Sequence, residues 1–297
     1  MRDIPAATVA DRVRKMVLKA NTILGPDVEQ AFQAALAEEE NPSAKEVLSQ
    51  LLENAALARD TKLALCQDTG TIICYADLPA WCDEFTFEKA YERAVVQATK
   101  KGYLRQNSVN SLTGKNSGTN LGPGSPAFHL HQTRKKSLTV RMILKGGGCE
   151  NVGAQYSLPD TRLGAGRDLE GVRTCVLDAV QQAQGKGCGP GILGVCIGGD
   201  RGSGYLASKE EFFRTLDDTN ADPKLAKLEK QIVREANQLG IGPMGFGGKT
   251  TLLGCKITHR NRVPASFFVS VSYMCWAYRR DGFQLSESGK VTRWLYS

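Results

Sequence analysis

The sequence predicts a mixed α/β fold, with a helical N-terminal third followed by a mixed sheet with packed helices, in a single compact unit over 1–297. Three observations carry this. Apolar residues recur at helical spacing in the first third, between recognisable caps. Short β-rich runs punctuated by glycine take over from the middle onward. Helical and strand-like stretches then alternate loosely, without the strict rhythm of a doubly wound sheet.

Taken in order, the chain opens on MRDIPAATVADRVRKMV, charged and amphipathic. Asn41-Pro42 supplies an N-cap and a proline at the first helical position, ahead of the helical run SAKEVLSQLLENAALA. Thr86 to Lys101 reads as a second helix, stopped by Gly102. Between the two lies CQDTGTIICYADL, a loop running into a short β-rich stretch. Residues 105–127, RQNSVNSLTGKNSGTNLGPGSPA, are polar and dense in turn residues. A loop this long is either functional or a disordered surface segment. SLTVRMIL is a strand ending at Gly146-Gly147-Gly148, Asp168 to Gln184 a helix, and GILGVCIGG a buried strand. Ser208-x-x-Glu211 reads as a capping box opening EEFFRTL. Asp222-Pro223 starts a helix with Leu225, Leu228, Ile232, Ala236 and Leu239 on one face and Gly240 as terminator. TTLLGCKI and SFFVSVSYMCW are the closing strands.

Composition narrows the function classes. Hydrophobic content of 41% and charged content of 23% are those of a soluble globular protein. No apolar run approaches the ~20 residues that span a bilayer, and no signal-peptide segment is evident. An odd count of nine cysteines without a signal leads us to expect a reducing, cytoplasmic setting. The net charge of +7 is spread out, with Arg134-Lys135-Lys136 the longest basic cluster, and basic and aromatic residues are not interleaved. No nucleic-acid partner and no membrane are therefore expected. A basic surface suits an anionic small substrate or an acidic partner chain.

The cysteines hold the chemistry. Cys66 in CQDTG, Cys188 in GKGCGPG and Cys275 in SYMCWAYRR sit in turn-forming or polar surroundings. Thiolates from three distant loops suit a metal centre that keeps one position open, whereas structural zinc sites close with four ligands at short spacing. The competing reading is that cysteine is simply a small buried hydrophobe, and Cys175, Cys196 and Cys255 fit that better. Other motifs fail. GPMGFGGKT has Pro243 where a phosphate-binding loop requires glycine, and a helix precedes it where a strand should. His129, His131 and His259 lack a carboxylate or nucleophile pattern, and there is no G-x-S-x-G.

Six motifs in order resemble the α-type catalytic region of iron–sulfur hydro-lyases, the class I fumarase and L-tartrate dehydratase family. They are CQDTG (66–70), LRQNSVN with TGKNSGTNLGPG (104–124), KGGGCEN (145–151), CGPG before the GVCIGG strand, GIGPMGFGGKT (240–250) and VSYMCWAYRR (271–280). The resemblance runs from about residue 10 to 285. It implies that Cys66, Cys188 and Cys275 hold three irons of a [4Fe–4S] cluster, the fourth iron open as a Lewis acid. It also implies that Gln67, Arg105, Gly147 and Gly148 bind a dicarboxylate substrate and that Asp68 joins the proton relay. Loop capping is the plainer role for Gln67 and Asp68, and pairing with Arg105 is another for Asp68. The reaction implied is reversible hydration of fumarate to (S)-malate. L-tartrate dehydration to oxaloacetate is the alternative, and a non-catalytic cluster-carrying scaffold or sensor a remoter one. Two departures matter. Single-chain members carry a further β-type domain with more substrate anchors and the proposed base, so the resemblance implies that this chain is the α subunit of an α–β enzyme, a homo-oligomer of α or αβ units. Cys149 stands where some fumarases have serine, and as a fourth ligand it would close the open site.

Overall fold

A computed structural model describes residues 6–296, so the first five residues of the amphipathic opening and Ser297 lie outside the described residues. The elements begin with α1 (Ala6–Thr22), α2 (Pro26–Glu38), α3 (Pro42–Thr61), β1 (Thr71–Pro79), α4 (Glu84–Lys100), β2 (Ala127–Thr133), β3 (Leu138–Lys145) and α5 (Gly147–Asn151). They continue with β4 (Ala154–Ser157), α6 (Leu169–Ala183), β5 (Gly191–Gly198), α7 (Arg201–Glu210), α8 (Pro223–Gln238), β6 (Leu252–Arg260), β7 (Phe268–Met274), β8 (Arg280–Leu285) and β9 (Val291–Trp294). The mixed α/β class read from the sequence is the observed one, built on two mixed sheets. Among the described residues no helix is long and apolar enough to cross a membrane.

The chain contacts divide into two compact units. The first comprises the described residues of Met1–Pro26, Glu53–Gly147 and Arg279–Ser297. Its five-stranded sheet runs β2-β1-β3-β8-β9, with β1 parallel to β2 and the remaining pairs antiparallel. Alternation along β1 and β3 sends Ile72, Cys74 and Ala76, with Val140, Met142 and Leu144, to one face. There they join Val13, Met16 and Val17 of α1 and Phe87, Tyr91 and Val95 of α4 in one buried apolar cluster. Each Val, Leu, Ile, Met or Phe side chain among them contributes about 1.5–3 kcal/mol by leaving water. The helix read as starting at Thr86 begins two residues earlier, because Asp83 accepts the Thr86 N–H at 2.7 Å as its cap.

The second unit comprises Asp27–Leu52 and Gly148–Tyr278. Its sheet runs β4-β7-β5-β6, with β5 parallel to β6 and antiparallel to β7. Every residue of β5 is buried, which is why GILGVCIG reads as a continuous apolar run instead of an alternating one. The helix at Asp222-Pro223 forms as read, with Asp222 capping the N–H groups of Lys224 and Leu225. Leu225, Leu228, Ile232 and Ala236 are buried, whereas Leu239 falls at the C-cap and is 39% exposed.

One element needs correction. Ser208-x-x-Glu211 opens no helix, because Ser208 lies inside α7. The capping box there is Asp200 with Ser203: Asp200 Oδ1 accepts the N–H groups of Gly202 and Ser203 at 2.8 and 3.1 Å, and Ser203 Oγ accepts the Asp200 N–H at 3.2 Å. The Ser208 hydroxyl is fully buried and is used in packing, bonding Tyr205 O and Ser272 Oγ, both at 2.7 Å.

Candidate active site

Leu65 fixes the start of the CQDTG turn. Its N–H donates to Asn21 O at 2.8 Å and its carbonyl accepts from Asn54 Nδ2 at 2.9 Å, so α1 and α3 hold the residue before Cys66 from both sides. Cys66 is partly exposed and Gln67 is exposed. Asp68 is the hub of the turn. Its Oδ1 accepts from Gly70 N–H at 2.9 Å and Asn107 Nδ2 at 2.8 Å, and its Oδ2 accepts from Gly147 N–H at 2.7 Å. One carboxylate thereby joins the cysteine turn, the polar loop and the triple glycine. Gly70 is at φ +72, and a Cβ there would stand 2.3 Å from Lys145 O. Only glycine lets the turn lie this close to the end of β3.

The polar loop is ordered by its own asparagines. Asn120, in the left-handed region at φ 62 and 2% exposed, accepts the Asn107 N–H at 2.7 Å and donates to Arg105 O and Thr99 Oγ1, each at 2.9 Å. Thr69 Oγ1 donates to the same Arg105 carbonyl at 2.8 Å. The backbone of Arg105 is therefore pinned by two side chains while its guanidinium is exposed, and this arrangement suits anion capture. The disordered-segment reading of 105–127 is overturned by these bonds. Asn107 and Asn120 were quoted in the motifs without a role. Their signal is that asparagine caps loops and tolerates φ above zero.

In the second unit Cys188 and Cys275 lie on adjoining segments, since the Trp276 N–H donates to Cys188 O at 3.0 Å. Cys188 is exposed, in the left-handed region at φ 56, and Cys275 is 7% exposed. Tyr273 explains the neighbouring glycines: a Cβ at Gly187 would lie 2.5 Å from its ring, and one at Gly191 2.2 Å. The Tyr273 phenol is driven upward by burial and by the negative potential of Cys275, Cys149 and Cys188. Those three sulfurs thus share one neighbourhood. Gly148 borders it, with a would-be Cβ 3.6 Å from Cys188 Sγ. Cys149 is buried, 1% exposed.

All nine cysteines are free. Cys175, Cys196 and Cys255 lie in the core as read, and Cys74 joins them. Burial pushes the thiols of Cys175 and Cys196 up to about 12 and about 11, and those of Cys74 and Cys255 higher still. Thiols held this firmly in the protonated form are poor ligands. Among the described residues no group of three or more His, Cys, Asp and Glu side chains stands together as a metal site. Cys66 belongs to the first unit, Cys188 and Cys275 to the second. Cys66 and Cys188 are solvent-reaching thiols on turns, of the chemical kind that ligates iron–sulfur clusters, and Cys275 is a buried thiol on the segment beside Cys188.

The phosphate-loop lookalike also has a physical explanation. Glu39, 3% exposed, places its carboxylate where an anion would lie, accepting the Lys249 N–H at 2.8 Å and those of Glu40 and Asn41 at 3.0 Å. A Cβ at Gly248 would stand 2.8 Å from Glu39 Oε2. The glycines of FGGKT serve an internal cap.

Comparison with known proteins gives the family. The family model described as fumarate hydratase (fumerase) matches residues 10–284. A protein of Geobacillus stearothermophilus assigned as a class I fumarate hydratase is 47% identical over 287 residues, 95% of this chain but 56% of that protein. A Methanocaldococcus jannaschii protein assigned as an L(+)-tartrate dehydratase α subunit is 31% identical over 277 residues, 92% of this chain and 95% of that one. The L(+)-tartrate dehydratase α subunit of Escherichia coli K12 is 27% identical over 263 residues, covering 88% and 85%. A match over nearly the whole length makes this chain a member of the fumarate hydratase family.

Proposed function

We propose that the chain is the α-type part of a [4Fe–4S] hydro-lyase that interconverts fumarate and (S)-malate. The observation that carries the reading is the Asp68 hub, which ties the Cys66 turn, the Arg105 loop and Gly147 into one rigid arrangement. Cys66, Cys188 and Cys275 would hold the cluster. When bound, it supplies a Lewis acid that makes hydroxide a tolerable leaving group from a 2-hydroxy acid.

The chain's own residues then bind and orient. Arg105 offers a planar pair of donors to a substrate carboxylate from a backbone that cannot shift. Gly147 and Gly148 allow the main chain to approach the ligand, and Gln67 is an exposed polar side chain beside Cys66. Both Asp68 oxygens already accept hydrogen bonds, so its part in proton transfer is to hold the relay in place and exchange a proton with a bound water.

L-tartrate dehydration is the second reading, favoured by the two relatives named as tartrate dehydratase α subunits. Such names also imply a β subunit, which would complete the site for either substrate. Anaerobic reconstitution with iron, sulfide and a β partner, followed by assay on fumarate and L-tartrate, separates the two. Fumarate hydration should dominate, and tartrate turnover far above it would overturn the substrate assignment. A complete assembly whose cluster is insensitive to malate, by electron paramagnetic resonance of the reduced form, would point instead to a scaffold or sensor.

A further inference from the structure

Arg279 follows the Cys275 segment and opens β8's flank, and it is the largest fully buried side chain among the described residues, 1% exposed. Its Nη1 donates to Asn21 Oδ1 at 3.2 Å, while Nε and Nη2 are buried without a hydrogen-bond partner among the described residues. Its backbone is fixed, because its carbonyl accepts the Leu144 N–H at 3.0 Å, which seats the residue beside the end of β3. A guanidinium buried without a counter-charge is costly, so its retention calls for a nearby anion.

Gly146 identifies that anion. A Cβ built there would stand 3.1 Å from Asp68 Oδ2 and 3.9 Å from Arg279 Nη2. The carboxylate and the guanidinium thus face the same side of Gly146, with no direct ion pair between them. Asp68 itself is held only by neutral donors, the N–H groups of Gly70 and Gly147 and the amide of Asn107. Among the described residues neither has a direct ion-pair partner, and a buried guanidinium attracts a partly exposed carboxylate one residue's width away.

We propose that Arg279 is a positioning residue that acts through Asp68: its buried charge holds the Asp68 carboxylate against the Gly147 N–H and so presets the CQDTG turn and the triple glycine. The inference rests on the proposed function for its catalytic consequence, but its structural half does not. The test is a double-mutant cycle of Arg279→Met and Asp68→Asn, with Arg279→Lys as the conservative control. It has two readouts. One is hydrogen exchange of the Gly147 amide in the full chain, which requires no turnover. The other is kcat and KM of the reconstituted α–β assembly. Arg279→Met should speed Gly147 exchange about tenfold and lower kcat by a similar factor. It should do neither in the Asp68→Asn background, and Arg279→Lys should recover part of both. Effects of the two substitutions that simply multiply would make Arg279 an ordinary packing residue and overturn the proposal. If Arg279→Met does not fold, Gly146→Ala places a methyl between the two groups and should give the same exchange result; unchanged exchange there overturns it equally. An inactive wild-type assembly with the exchange coupling intact would remove the hydro-lyase reading and leave the positioning role standing.

Discussion

The nine cysteines divide by burial. Cys74, Cys149, Cys175, Cys196 and Cys255 are buried and Cys82 is partly so, whereas Cys66 and Cys188 reach solvent from turns and Cys275, itself buried, adjoins Cys188. Replacing Cys66, Cys188 or Cys275 singly with serine should abolish cluster retention in anaerobic preparations. Cys196→Ser and Cys255→Ser should retain the cluster and lose about 1–3 kcal/mol of stability to a buried hydroxyl. Iron and sulfide analysis beside denaturant melts checks both, and a full iron complement in a trio variant removes that cysteine from the set. Asp281 provides a test of a different kind. It is 1% exposed, and burial pushes its carboxyl up to about 6 against the pull of Lys19, whose Nζ lies 3.6 Å away. The folded chain then holds this proton more tightly than the unfolded one. Stability from Asp281 is full below about pH 4 and is lost as pH rises to about 6, by about 2–3 kcal/mol. Asp281→Asn should flatten that part of the stability–pH curve, and an unchanged slope between pH 4 and 6 would assign it to other groups.

Among the elements, the loops carry the specificity of the fold. Three segments far apart in sequence meet at the Asp68 carboxylate, and two more meet at Glu39. Burial works against the Glu39 charge, yet the N–H groups of Asn41, Lys249, Glu40 and Thr250 together hold its carboxyl below the ordinary range. Its contribution is therefore present above the usual glutamate range and fades as pH falls through the lowered value. Glu39→Gln turns an amide donor towards one of these N–H groups and should cost about 2–3 kcal/mol. Proteolysis at the 246–250 segment should accelerate in the same variant. A melt identical to wild type would mean that the loop holds itself.

For the whole molecule, the question is completeness. The chain spans about half the length of its Geobacillus relative but nearly all of the tartrate dehydratase α subunits it matches. A dicarboxylate needs two anchors and a base in fixed geometry, and the matched motifs offer one exposed arginine, Arg105. The fully reconstituted chain should therefore show no appreciable fumarate hydration until a β partner is added. Turnover by the chain alone would force a search for the second anchor and the base within these residues.

Much of this protein was legible without coordinates. Helical spacing with Asn41-Pro42 and Asp222-Pro223 caps predicted α3 and α8, because local propensity and a single apolar face suffice for a helix. The glycine-set cysteines stood out by residue type alone. Other features depended on partners distant in sequence. Ser208 reads as a cap until β7 is packed on it, and FGGKT, rejected as a phosphate loop on its spacing, acquires a role only when Glu39 fills it. Asp68 reads as a loop cap or a relay carboxylate, and only the fold supplies its three donors, while RDGFQL hides a strand because only pairing with β3 makes it one. Sequence by itself determined which residues can cap, turn or ligate. Tertiary structure decided which of them do, because a hydrogen bond or a buried charge is settled by what the fold places opposite it.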